Sequence, residues 1–270
     1  MGIKVGIIGT GNMGGAIIKG LCGSKRQYEI YIHDINPRLT EQLSRDYPVS
    51  VMGTVREIAG KSDVIIAAVK PQNMENVLKE CSEALSPSAL FVSVAVGLPI
   101  AYYSKILGED KKIVRTMPNT PALVREGVTV VSFGKNVTPE EKDLVRDIFS
   151  SIGAVEELDE SLMSQVTALT SSSPAYVFMM IEAMADAAVQ SGIPRNISYR
   201  LAAQAVLGSA KMVLETQKHP AELKDMVCSP AGTTIEAVFK LEEKGFRNAI
   251  MAAMKECTRR AEEIGRGNVK

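Results

Sequence analysis

The sequence has little of what builds metal centres, disulfide frameworks or membrane anchors. Histidine occurs twice, at His33 and His219, and the four cysteines, Cys22, Cys81, Cys228 and Cys257, stand far apart with no C-x-x-C pair. That spacing offers neither a metal-ligand set nor a disulfide framework. Scattered cysteines suit a reducing compartment, so a cytoplasmic location is expected. Apolar runs are short: Val64 to Val69 is among the longest, far below the roughly 20 residues that cross a bilayer. No membrane partner is expected. Net charge is absent too, because Lys plus Arg and Asp plus Glu each number 31. Without a positive field, nucleic acid is not an expected partner. Lys4 followed by Val5 to Ile8 has the charged-then-apolar order of a secretory leader, but Gly9, Gly11, Gly14 and Gly15 break it too early. Gly6 stands where a myristoylation signal wants Ser or Thr. The stretch reads as a strand.

What is present suffices for a folded core. A length of 270 residues favours two domains at about 150 residues each. Hydrophobic residues at 46% and charged residues at 23% are those of a globular chain and exclude disorder as the main theme. Up to about residue 160, short β-branched runs alternate with helical segments. Ile3 to Ile8, Glu29 to His33, Val64 to Val69, Leu90 to Val94, Ile113 to Arg115 and Val128 to Ser132 read as buried strands. A helix is expected from about Met13 to Gly23, and this rhythm predicts a parallel sheet covered by helices. Beyond residue 160 the strand signal stops. Helices are expected over 174–191, 196–217, 220–227, 233–244 and 246–265, separated by breaker clusters such as Ser191-Gly192-Ile193-Pro194 and Ser229-Pro230-Ala231-Gly232. The first of these helices carries small and apolar residues on almost every face, which predicts packing against a second copy of the chain.

After the first strand stands Gly9-Thr10-Gly11-Asn12-Met13-Gly14, a G-x-G-x-x-G that opens a helix. Such glycines allow a tight turn and close approach of the backbone to a pyrophosphate, which the helix N-terminus attracts. The bland alternative, a tight strand-to-helix turn only, is weakened by context: Asp34 ends the second strand 20 residues after Gly14. A carboxylate there accepts from a ribose 2′-hydroxyl and favours NADH. Arg38, with Asn36 and Thr40, offers a grip for the 2′-phosphate of NADPH, or else is a solvated surface charge. Three further segments follow later strands: Ala68-Val69-Lys70-Pro71, Val94-Ala95-Val96-Gly97 and Met117-Pro118-Asn119-Thr120-Pro121. Their small residues admit a nicotinamide ring, with Lys70 or Asn119 to orient its ribose or carboxamide. Ordinary loop chemistry explains the prolines equally well.

Two hydroxyl-rich helix starts complete the inventory. Thr233 and Glu236 have the spacing of a capping box, with Thr233 as N-cap. Thr234, just after Gly232 and Thr233, then has a free hydroxyl beside unpaired N–H groups, a receptor for a small carboxylate. In Thr170-Ser171-Ser172-Ser173-Pro174, Ser173 is the expected N-cap and Pro174 the first helical residue.

With these motifs in hand, the sequence resembles the pyrroline-5-carboxylate reductases. The residues that carry the resemblance are Gly9 to Gly14, Ala68 to Pro71, Arg115-Thr116-Met117-Pro118-Asn119-Thr120-Pro121, Ser172-Ser173-Pro174-Ala175-Tyr176, and Leu223 to Thr234, in the family's order and across essentially the whole chain. The resemblance implies an α/β N-terminal Rossmann domain with a mostly parallel sheet (1–160) and an all-α dimerisation and substrate domain (161–270). It implies an active site where the two meet across a homodimer, itself often part of a ring of dimers. By the same carry-over Ile8, Gly9, Thr10, Gly11, Asn12, Met13, Ala68, Val69, Lys70, Pro71, Val94, Ala95 and Val96 contact NADP or NAD. Glu160, Met226, Val227, Thr233 and Thr234 fall where the family holds substrate. The sequence departs from the family at Ser171 and Ala231, where glycines are usual. The implied reaction, hydride transfer from NAD(P)H to the C=N bond of pyrroline-5-carboxylate, suits a chain poor in histidine. A protonated cyclic imine is already electrophilic and needs no general acid. In that reading Thr234 hydrogen-bonds the ring nitrogen and is the catalytic residue.

Two rival readings fit the residues less well. A β-hydroxyacid dehydrogenase pairs a similar glycine motif with a helical domain but needs a catalytic lysine on the first long helix, and Pro174 to Gln190 contains none. A nucleotide-sensing module that binds NAD(P)H without turnover leaves Thr233 and Thr234 without a purpose.

Overall fold

The computed structural model describes residues 2–265. The chain divides into two compact units, one made of the residues up to Ser172 together with those from Cys257 onward, the other running from Ser173 to Glu256. The expected boundary between residues 160 and 161 precedes a helical stretch, 163–171, that belongs to the first unit.

The first unit holds an eight-stranded sheet in the order β3-β2-β1-β4-β5-β6-β7-β8. Its strands are β1 (Ile3–Ile8), β2 (Tyr28–His33), β3 (Val49–Val51), β4 (Val64–Ala67), β5 (Leu90–Ser93), β6 (Lys112–Pro118), β7 (Gly127–Phe133) and β8 (Gly153–Glu157). Only β6 and β7 pair antiparallel; all other neighbours are parallel. Central strands covered on both faces need apolar residues at every position, and all four residues of β4 and of β5 are buried. The period of two then splits them between the faces. Ile66 and Val92 join one core with Ile7, Ile17 and Phe149, while Ile65 and Phe91 join another with Ile58, Met74 and Tyr103. The sequence pattern misses β3 and β8. Both are edge strands of mixed exposure and present no continuous apolar run. It also carries β4 and β5 too far, since they end at Ala67 and Ser93, where the chain turns into loops.

Helices α1 (Asn12–Cys22), α2 (Pro37–Asp46), α3 (Val55–Lys61), α4 (Met74–Ser82), α5 (Ile100–Leu107) and α6 (Pro139–Ser150) cover the sheet, and a short α7 (Met163–Val166) follows it. Strands are added outward from β1 in one direction to β3 and in the other from β4 onward. The C-terminal ends of β1 and β4 therefore flank the switch point, the crevice where open α/β sheets bind ligands.

The second unit is entirely helical: α8 (Ser173–Gln190), α9 (Arg195–Thr216), α10 (Pro220–Val227), α11 (Thr233–Glu243) and the start of α12 (Phe246–Gly265), which ends in the first unit. All five lie within one residue of the expected ranges. Helix α8 packs on α9, yet Ala185 is its one buried residue. Phe178 and Met179 on α8 and Leu201, Leu207 and Leu214 on α9 are exposed. Apolar surface on this scale marks a face meant for a partner. Among the described residues no helix is long and apolar enough to cross a membrane.

Candidate active site

The glycine motif forms the turn its spacing predicts, and each glycine meets a separate demand. Gly9 sits at φ +91°, a conformation L side chains rarely adopt, and its N–H donates to the His33 carbonyl at 2.8 Å. Gly11 has open space where a Cβ would stand, while a Cβ on Gly14 would overlap the Gly9 carbonyl oxygen. Gly11 is also the N-cap of α1 and offers no side-chain bond to the helix start. The first N–H groups of α1, from Asn12 and Met13 on, are thus left for an anion.

Asp34 has a task the sequence does not reveal. Its Oδ2 accepts from the Thr10 amide at 2.6 Å and from Thr10 Oγ1 at 3.1 Å, and its Oδ1 accepts from the Asn36 amide at 2.8 Å. Thr10 is buried. The carboxylate expected to receive a ribose hydroxyl also ties the glycine turn to the start of α2, which Asn36 caps through the Arg38 amide. Arg38 is exposed and has no ion-pair partner among the described residues.

A cleft of about 580 Å3 brings together Ile8, Gly9, Gly11, Asp34, Ala68, Val69 and Lys70. These are seven of the expected cofactor residues, from three loops far apart in sequence. Thr10 and Asn12 line a separate hollow beside α1 and α2, and Met13, Arg38, Pro71, Val94, Ala95, Val96 and Asn119 line neither. The cleft adds Asn73 and Asn76, which sequence reading passed over. Their signal was their place at the helix start that follows Pro71. Val94, Ala95 and Val96 form the loop directly after β5, held to its neighbour by the Val94 N–H donating to the Ala67 carbonyl at 3.2 Å.

Asn119 is buried and its amide is engaged on both sides. Oδ1 accepts from the Val128 N–H at 2.9 Å and Nδ2 donates to the Thr170 carbonyl at 3.1 Å. The second bond has a local cause. Pro174 has no N–H to offer the carbonyl four residues back, which is that of Thr170, and Asn119 supplies the missing donor. Around this proline the helix start expected with Ser173 as N-cap takes a different form. Residues Thr167–Ser171 make a π-turn, with the Ser172 N–H donating to the Thr167 carbonyl at 3.0 Å, and α8 begins at Ser173 with Pro174 second. The wider turn absorbs the proline ring. Ser173 is therefore helical and not the N-cap. Ser172 Oγ accepts from Cys257 Sγ at 3.1 Å, and Ser171 Oγ is buried with no partner among the described residues.

The start of α11 differs from its expected form by one residue. Ala231 takes a left-handed φ of +53° and Gly232 an extended conformation, so Gly232 is the N-cap and Thr233 the first helical residue. The Thr233 to Glu236 capping box is absent. A left-handed alanine costs about 1 kcal/mol, which fits a position where the resembled family uses glycine. The result is a helix end with no side-chain cap. Neither threonine hydroxyl is hydrogen-bonded among the described residues. Just before it, Met226 and Val227 expose apolar side chains at the end of α10. Glu160 lies in the first unit, where its Oε1 accepts from the Ile100 amide at 2.7 Å and from Arg115 Nη1 at 3.1 Å.

A glycine turn at the switch point of a parallel sheet, with free helix donors and a separate helical unit, defines a Rossmann-type dinucleotide-binding oxidoreductase. Residues 160–264 match the family model described as pyrroline-5-carboxylate reductase dimerisation, and residues 4–97 match one described as NADP oxidoreductase, coenzyme F420-dependent. The chain belongs to the pyrroline-5-carboxylate reductase family. It is 48% identical over 265 residues to the pyrroline-5-carboxylate reductase of Escherichia coli (strain K12), covering 97% of this chain and 98% of that one. Among solved structures it resembles the pyrroline-5-carboxylate reductase of Coxiella burnetii, with a TM-score of 0.91 and 33% identity over 96% of this chain and 97% of that one. It also resembles the Plasmodium falciparum pyrroline carboxylate reductase with NADP bound, with a TM-score of 0.87 and 33% identity over 97% and 98%.

Proposed function

We propose that this chain reduces the C=N bond of L-1-pyrroline-5-carboxylate with NADPH to give L-proline, the last step of proline synthesis, with NADH as a second donor. The observation that carries this reading is the 48% identity over 97% of the chain to a relative named for that substrate, since it spans both the glycine turn and the α11 start.

The glycine turn fits a dinucleotide, with open space at Gly11 and none to spare at Gly14. NADPH, when bound, supplies the hydride. The chain does the rest. Gly9 to Met13 and the first N–H groups of α1 hold the pyrophosphate, and Arg38 meets the 2′-phosphate. Ala68 to Pro71 and Val94 to Val96 wall the nicotinamide half, with Lys70 toward the ribose. Asn119, its amide engaged by Val128 and Thr170, shapes the loop after β6. In the second unit the N–H groups at Thr233 and Thr234 hold the substrate carboxylate, beside Gly232, whose own N–H donates to the Ser229 carbonyl at 3.0 Å. Thr234 Oγ1 accepts from the protonated ring nitrogen, Met226 and Val227 cover the apolar ring edge, and Ser172 and Ser173 add hydroxyls. Once the ring is fixed, the imine carbon accepts hydride and the nitrogen keeps its proton, so positioning supplies most of the rate. The reading requires residues of the 1–160 and 161–270 regions to serve one substrate. It places the exposed faces of α8 and α9 against a second copy, in homodimers that assemble further, in the cytoplasm.

A spectrophotometric assay with pyrroline-5-carboxylate and each cofactor in turn tests the proposal. Turnover with NADPH is expected, and absence of turnover with both cofactors overturns it. Asp34 has its own test. As a brace it serves both dinucleotides alike, so Asp34→Asn is expected to weaken NADPH and NADH by a similar factor of about 3 to 10, the worth of about one hydrogen bond. A selective loss of NADH binding with a gain for NADPH in fluorescence titrations restores the ribose-acceptor role.

A further inference from the structure

The loop Val94 to Pro99 joins β5 to α5, and both of its ends are fastened by side chains. At the β5 end, Ser93 Oγ accepts from the Ala95 N–H at 3.1 Å and shares a 2.6 Å hydrogen bond with Tyr103 Oη. The Ser93 carbonyl accepts from Thr116 Oγ1 at 2.9 Å. Ser93, Tyr103 and Thr116 are fully buried. At the α5 end, Pro99 is the N-cap and supplies no side-chain bond. The first helical N–H, that of Ile100, goes instead to Glu160 Oε1 at 2.7 Å, 60 residues away in sequence. The same oxygen takes Arg115 Nη1 at 3.1 Å. Arg115 is 6% exposed and its Nε has no partner among the described residues, and among those residues Glu160 is the one carboxylate paired with this buried charge.

Tyr103 and Ile100 lie in the first turn of the same helix. One short segment of α5 therefore carries both fastenings, and the loop between them cannot shift without breaking a buried hydrogen bond at one end or a charge-assisted one at the other. Gly97 inside the loop sits at φ +87°, with room for no more than contact with Ile264, so the backbone path is itself narrowly set.

We propose that Tyr103 and Glu160 are positioning residues that hold the Val94–Gly97 loop in its dinucleotide-binding shape, Tyr103 through Ser93 and Glu160 through Ile100. The proposal rests on the reading that this loop contacts the dinucleotide. It gives Glu160 a task on the cofactor loop beside the substrate contact that the resemblance implies. A loop fixed before binding has less conformational freedom to lose on binding, so its fastenings act on cofactor affinity and not on the chemical step.

The test uses the full chain, wild type and two variants. Tyr103→Phe keeps the ring and deletes one hydroxyl; Glu160→Gln keeps an acceptor for Ile100 and removes the charge facing Arg115. In wild type, NADPH is expected to slow amide hydrogen exchange at residues 94–97. No slowing there removes the underlying reading. Given that slowing, Tyr103→Phe is expected to raise the NADPH dissociation constant about fivefold and Glu160→Gln about tenfold, the worth of one neutral and one charge-assisted bond. Exchange at 94–97 in the free protein should rise in both. With NADPH saturating, kcat and the KM for pyrroline-5-carboxylate should stay within about twofold in Tyr103→Phe. A lower melting temperature with unchanged NADPH affinity in both variants means a structural role only and overturns the proposal. A raised KM for pyrroline-5-carboxylate with unchanged NADPH affinity in Glu160→Gln returns Glu160 to the substrate.

Discussion

Gly14→Ala is expected to abolish measurable NADPH binding, a rise of at least about 100-fold in dissociation constant, in a protein that still folds. The cause is local and steric. Gly14 lies in the first turn of α1, and a methyl group there would overlap the Gly9 carbonyl oxygen, whose position is set by the Gly9 N–H donating to the His33 carbonyl and by the +91° φ of Gly9. A backbone carbonyl so held has no rotamer to escape into. Helix α1 has to move away from the turn, which carries its N–H groups off the pyrophosphate site. Two such donors misplaced cost about 3 kcal/mol at charged hydrogen bonds, or a little over 100-fold. Most of the two cores beneath lies on the sheet and the other helices, so the far-ultraviolet circular dichroism should stay close to wild type. Gly11→Ala is the matching comparison: its Cβ meets nothing within 4 Å, so the fold is untouched and only the bound dinucleotide is crowded. If Gly14→Ala binds NADPH within tenfold of wild type by fluorescence titration, the turn does not work as described.

How much of this was legible before the structure depends on the distance over which each feature is encoded. The helices of the second unit are legible to within a residue because each declares itself through its own period and the breakers around it. The inner strands β1, β4 and β5 were read for a similar reason, since burial on both faces leaves an unbroken apolar run. Edge strands β3 and β8 share a face with solvent and lose that signature. The same scale governs the site. The glycine turn is encoded within six residues and took its expected form. The braces were invisible, because each joins a side chain to a backbone group remote in sequence: Asp34 to Thr10, Asn119 to Thr170, Glu160 to Ile100. No local period records such a pairing, and three residues singled out for their chemistry also brace the chain itself.

The cap of α11 is the subtler case. Thr233 followed by Glu236 satisfies the capping-box spacing, but spacing alone does not say which residue enters the helix first. The left-handed turn at Ala231 starts the helix one residue early, and Gly232 takes the cap position. This shift helps the proposed chemistry. A threonine at the N-cap has its hydroxyl spent on the helix, whereas here both hydroxyls and the first N–H groups stay open to a ligand.

Thr234→Ala is accordingly expected to lower kcat/KM for pyrroline-5-carboxylate by about 100-fold, the loss typical of a donor or acceptor aimed at a reacting group. The NADPH dissociation constant should stay within about twofold, because the glycine turn is unchanged. The stability should hardly move, since the hydroxyl makes no hydrogen bond among the described residues and alanine has the higher helix propensity. Thr234→Ser keeps the oxygen and should recover most of the rate; Thr234→Val keeps the shape and should not. The variants at Thr233 separate the two neighbours. If the backbone N–H groups hold the carboxylate, Thr233→Ala changes KM by no more than a few-fold and leaves kcat near wild type. The serine and valine pair is decisive, because it isolates the oxygen from the volume. Equal rates for Thr234→Ser and Thr234→Val would show that the side chain merely fills space, and the ring nitrogen would have to find its partner elsewhere.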